Sequence, residues 1–128
     1  MPAASFHGGR VRREASRPRG FRPIARSEIV KAAQAIAKAV RPEKVILFGS
    51  YAYGQPTQDS DVDFLVIHRA PTRPARLNVA YKAHDALSPR LFPVDIVVRS
   101  TKQIRDRVGH GDFFLDEITS RGQVLYER

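Results

Sequence analysis

The chain has 128 residues, no cysteine and a formal net charge of +9, a length at which a single domain buries a core without covalent staples. The lack of cysteine excludes a disulfide framework and any thiolate metal site, and it suits the reducing cytoplasm in which the protein is expected to work. No segment nears the roughly 20 apolar residues that span a bilayer, and the opening residues lack the apolar run of a secretory signal, so no membrane association is expected.

The charge is unevenly spread. Residues 1–22 carry Arg10, Arg12, Arg13, Arg17, Arg19 and Arg22 against Glu14 alone, more than half of the whole excess. Rich in Arg, Pro and Gly and without apolar periodicity, this stretch predicts a flexible basic arm, leaving residues 23–128 as the folded domain. Such an arm suits nucleic-acid phosphates, but an arm without function is an equally open alternative.

From Ser27 onward the pattern is ordered. Ile29, Ala32, Ala33, Ile36, Ala37 and Val40 recur at three- and four-residue spacing, which predicts an amphipathic helix capped by Ser27 and ended by Pro42. Val45 to Phe48 is a short apolar run with β-branched residues, broken by Gly49, and predicts a buried strand. A short helix over 50–54, a polar loop over 55–60 and a second strand over 62–67 follow. Leu77, Ala80, Tyr81, His84 and Leu87 mark one face of a helix over 74–87. A third strand over 94–98, helices near 101–108 and 113–119, and a last strand near 123–126 complete the pattern. Alternating helices and strands predict an α/β (α+β) domain in which helices pack on a mixed sheet of about four strands.

Three segments carry candidate chemistry. Gly49 and Ser50 fall where a strand gives way to a helix, a place where backbone N–H groups, helped by the serine hydroxyl and the helix dipole, receive phosphate oxygens. An ordinary strand-ending turn is the alternative. Asp61 and Asp63 lie two apart in an extended segment, so both carboxylates face one side of the sheet. Two like charges at the start of an apolar strand repel unless a cation lies between them, and an oxygen-rich site of this kind suits Mg²⁺. Asp95 sits inside the apolar run Pro93–Val98, where a buried charge needs a partner. Either it joins Asp61 and Asp63 around two metal ions roughly 4 Å apart, or it forms a salt bridge with an arginine. His68, His84 and His110 lack metal-ligand spacing. Tyr51, Tyr53 and Tyr81 are expected as core or pocket aromatics.

Gly49-Ser50-Tyr51-Ala52-Tyr53-Gly54, then Ser60-Asp61-Val62-Asp63-Phe64-Leu65-Val66, then Asp95 in a later apolar strand, resemble in order and spacing the minimal nucleotidyltransferases (MNT) of the DNA polymerase beta superfamily. The resemblance extends to the preceding helix and to the ending Gly122-Gln123-Val124-Leu125-Tyr126-Glu127. It implies a polymerase-beta-like nucleotidyltransferase fold, ATP held at Gly49 and Ser50, and Mg²⁺, two ions, bound by Asp61, Asp63 and Asp95 as catalytic carboxylates. Asp95 is also implied as the carboxylate on the side of the attacking hydroxyl. The sequence departs from the family's usual pattern at Tyr53, where members usually carry Arg.

Members of this size resemble antitoxins that adenylylate a tyrosine of a partner HEPN-family toxin. The resemblance therefore implies an enzyme that transfers AMP from ATP to that partner, in a hetero-oligomer, with the attacking hydroxyl supplied by the toxin. A second reading is a catalytically weak module that neutralises the toxin by occlusion. A third is nucleic-acid binding through the arginine-rich arm, with salt-sensitive affinity.

Overall fold

The computed structural model describes residues 20–89 and 92–128, together with the backbone of residues 10–13. In chain order the elements are strand β1 (Arg10–Arg13), helix α1 (Arg26–Val40), strand β2 (Lys44–Phe48), helix α2 (Ser50–Tyr53) and strand β3 (Val62–Ile67). Helix α3 (Arg73–Ala86), strand β4 (Val94–Arg99), helices α4 (Thr101–Gly109) and α5 (Phe113–Arg121), and strand β5 (Gln123–Glu127) follow.

The strands form one mixed sheet in the order β1-β4-β3-β2-β5. Parallel pairing of β3 with β4 needs a crossover connection, which α3 supplies; the neighbouring pairs β2–β3, β2–β5 and β1–β4 are antiparallel. The four expected strands are all present. A fifth, β1, comes from the segment expected to lie outside the domain, and it hydrogen-bonds along the edge of β4 with Arg12 opposite Asp95. Four residues with three arginines carry no apolar alternation, so nothing in their composition announces a strand. The rest of the expected arm, residues 1–9 and 14–19, lies outside the described residues.

Alternation along the strands divides the core into two layers. Val45, Leu47, Phe64, Val66, Ile96 and Val98 face α1 and α3. Ile46, Phe48, Leu65, Ile67 and Val97 pack with Leu115 and Ile118 of α5 and with Ile104 of α4. The six apolar residues picked out in α1 are all buried. Its cap is different from expectation: α1 starts one residue before Ser27, and Ala25 is the N-cap, without a side-chain cap hydrogen bond. Arg41, in the left-handed region at φ 50°, ends the helix by donating its N–H to Ala37 O.

In α3 the buried face is Val79, Ala80, Ala83 and His84, one position earlier around the helix than the expected stripe. Tyr81 is accordingly 56% exposed and no core aromatic. Both stripes share Ala80 and His84, and 3.6-residue periodicity alone does not choose between two faces that differ by one position. Thr72 caps α3 by accepting from Ala75 N–H, and Ser100 and Gln103 form a reciprocal capping box at the start of α4.

Candidate active site

The turn between β2 and α2 is built on Gly49, whose φ of 77° and ψ of −156° lie in a region open essentially to glycine alone. A Cβ at this position would overlap the carboxylate of Asp63, with Oδ2 the nearest atom. Glycine is therefore required twice, once for the backbone angles and once so that the turn can press against Asp63. Gly49 O accepts from the N–H groups of Ala52 and Tyr53, which folds Ser50–Tyr53 into a single turn. One turn carries little of an aligned helix dipole, so a phosphate at this corner would be met by its N–H groups and the Ser50 hydroxyl rather than by a dipole.

Asp61 is placed by a tight loop. Thr57 N–H donates to Ser60 Oγ at 2.8 Å, Ser60 N–H donates to Thr57 O at 3.0 Å, and Asp59 N–H donates to Thr57 Oγ1 at 3.2 Å. Directly afterwards Val62 N–H bonds Pro93 O at 3.0 Å, tying the first residue of β3 to the strand that carries Asp95. Asp63 and Asp95 are then Cα partners across β3 and β4, and Phe48 is the partner of Asp63 on the other side.

The consequence is a cluster in which one carboxylate oxygen from each of Asp61, Asp63 and Asp95 lies within 4.8 Å of the others. Asp61 is 7% and Asp95 1% exposed. Three carboxylates this close, two of them buried, repel one another, and a hard divalent cation relieves that repulsion with the oxygen ligands it prefers. The donor set, oxygen only and without nitrogen or sulfur, fits Mg²⁺. All three expected carboxylates converge, Gly49 abuts them, and Ser50 follows at once in the same turn.

Around Tyr53 the structure assembles residues that the sequence reading did not connect. Arg121 of α5 stacks on the Tyr53 ring, 4.6 Å from its centroid, and the Tyr53 hydroxyl donates to Glu117 Oε1 at 3.4 Å. Burial, followed by the nearby Glu117 charge, raises the Tyr53 pKa above its ordinary value, against a lowering from the Gly49 backbone and Arg121. Gln123, at the start of β5, donates to Ala52 O at 2.8 Å and accepts from the Arg26 guanidinium, fastening α2 to α1. Gln123 and Ala52 are 71 residues apart, and no spacing rule connects them.

The comparisons agree with this geometry. Residues 26–124 match the family model described as a nucleotidyltransferase domain. Among curated proteins none matches the chain. The matched span contains the Gly49–Ser50 turn and all three carboxylates, and with well over half of its length in that match the chain belongs to the nucleotidyltransferase domain family.

Proposed function

We propose that the protein is a Mg²⁺-dependent adenylyltransferase of the minimal nucleotidyltransferase type, an antitoxin that neutralises a HEPN-family toxin by transferring AMP from ATP to one of its tyrosines. The observation that carries the chemistry is the convergence of Asp61, Asp63 and Asp95 beside the Gly49 turn. The partner is what the resemblance implies, and the two would meet in the cytoplasm as a hetero-oligomer. Within the described residues no helix is long and apolar enough to cross a membrane.

Gly49 and Ser50 hold the triphosphate through backbone N–H groups and the serine hydroxyl. Mg²⁺ bound by the three carboxylates supplies charge neutralisation for the phosphates and the developing oxyanions. The partner's tyrosine oxygen attacks the α-phosphorus of ATP, the bond from that phosphorus to the bridging β-phosphate oxygen breaks, and pyrophosphate leaves with the electron pair. Asp95, the carboxylate on the side of the attacking hydroxyl, takes the phenolic proton. No nucleophile from this chain is required.

The test is incubation of the protein with α-labelled ATP, Mg²⁺ and the helical partner, followed by mapping of the label. Covalent label on a partner tyrosine is the expected result. A stable complex that never acquires label would replace the enzyme with the occluding module.

A further inference from the structure

At the far end of β4 from the carboxylates lies a second concave site. Arg73, Arg76, Arg99, Gln103 and Arg107 line a cavity of about 310 Å³. Arg99 follows Asp95 by four residues on β4, which at ~3.3 Å per residue separates the two by roughly 13 Å. The cavity therefore shares no residue with the candidate active site and opens at the opposite end of that strand.

Its described lining is all cationic, amide or apolar, with no carboxylate. Two of the guanidiniums are fastened to the main chain: Arg76 Nη1 donates to Ala70 O at 3.2 Å and Arg99 Nη1 donates to Val98 O at 2.8 Å. The bond of Arg76 fixes its orientation without neutralising its charge, and a guanidinium has five donors to offer; Arg99 makes a further interaction of its own. Asp112 stands 3.9 Å from Arg107 Nη1, but that arginine is 64% exposed, so the pair is weak. Gln103 Oε1 is engaged by Ser100 N–H at 3.0 Å, which leaves its NH₂ as the end able to serve a ligand. Arg73 and Gln103 belong to the first turns of α3 and α4, so two positive helix ends converge here.

Even without Arg99, the three guanidiniums of Arg73, Arg76 and Arg107 around one cavity exceed what a single chloride or carboxylate could satisfy, and forked donors match phosphoryl oxygens in pairs. The volume is near the lower end for small-ligand pockets. We propose that this cavity is a binding site for a small diphosphate anion, independent of the metal and of the carboxylate cluster. Free pyrophosphate and a nucleoside diphosphate share that chemistry. They differ in whether an apolar base is present to rest on Leu77, which also lines the cavity.

The experiment is calorimetric titration of the full chain with pyrophosphate, and separately with ADP, in EDTA so that metal-dependent binding is silent. Both probes should bind, Asp61→Asn/Asp63→Asn should leave the affinity unchanged, and Arg73→Ala/Arg107→Ala should weaken it roughly tenfold or more, since charge-assisted hydrogen bonds are lost. Arg73 and Arg107 are exposed, so the melting temperature should hold; Arg73→Glu alone is the second variant and should weaken binding as well. Similar affinities for the two probes assign the site to the diphosphate itself, and tighter ADP assigns it to a nucleotide. Binding that ignores the arginine variants, or that sulfate reproduces equally well, overturns the proposal. So does a short oligonucleotide that binds through these arginines where pyrophosphate does not, because the surface would then serve nucleic acid.

Discussion

Asp63 and Asp95 are direct Cα partners on the parallel strands β3 and β4, so both side chains leave the sheet on one face and at one level. Parallel pairing does this without any loop of its own. With Asp61 two residues before Asp63, the cluster is a property of sheet register, and a register slip of one residue would turn an aspartate to the opposite face. The row continues to Phe48 on one side and to Arg12 on the other.

Mutual repulsion of three carboxylates within 4.8 Å predicts that Mg²⁺ raises the melting temperature, and that Mg²⁺ with ATP raises it further than ATP alone. ATP without metal would add phosphate charge to carboxylate charge. Differential scanning fluorimetry over a Mg²⁺ series checks this, and a shift that is the same with and without metal would count against the carboxylates as the ion's ligands.

Gly49→Ala should be strongly disruptive for its size. The backbone angles alone cost a non-glycine residue about 1–3 kcal/mol, and the new methyl would displace the Asp63 carboxylate. Gly109→Ala is the matched control: nothing stands within 4 Å of its Cβ position, and it lies in α4, so stability should hold or rise by roughly 0.5–1 kcal/mol. Urea melts of the two variants give the comparison. Equal behaviour would mean that the turn does not press on Asp63.

Much of this arrangement was legible from local pattern. The apolar stripe of α1 and the strands β2, β3 and β4 follow directly from periodicity, because each element buries one face or is buried on both. Asp61 and Asp63 were visible as a pair for the same reason. What was not legible came from long-range pairing. The edge strand β1 depends on the exposed side of β4, the Gln123–Ala52 tie spans the chain, and the arginine cavity forms only where α3 and α4 meet the end of β4. The α1 cap and the α3 face were misplaced by one or two positions because neighbouring residues there meet the same local criteria.

Tyr53 carries a pH signature. Burial raises its pKa above the ordinary 10.0, so the folded state holds the phenolic proton more tightly than the unfolded chain does. The stability linked to this group is fully present below the unfolded value and is lost as pH rises through the folded value. Melting temperature should therefore fall above about pH 10 more steeply in the native protein than in Tyr53→Phe, which removes the titrating group and keeps the ring under Arg121. Parallel curves for the two proteins across that range would show that the hydroxyl is as solvated in the fold as outside it.

Asp95→Asn separates chemistry from architecture. The residue is 1% exposed in the middle of the sheet, and asparagine preserves its volume while removing the negative charge that, on the proposed function, would serve both cation binding and proton acceptance. If Asp95 works on the attacking-hydroxyl side, transfer should fall by roughly a hundredfold or more, while ATP affinity, which on the proposed function would rest mainly on Gly49, Ser50, Asp61 and Asp63, should change little. The competing account makes Asp95 one half of a buried ion pair. Loss of one partner would then leave an uncompensated charge and lower the melting temperature severely, with transfer per folded molecule intact. Single-turnover transfer, ATP affinity and thermal stability measured on one preparation distinguish the two, and unchanged transfer with lost stability would remove Asp95 from the active site and leave Asp61 and Asp63 as the carboxylates that hold the metal.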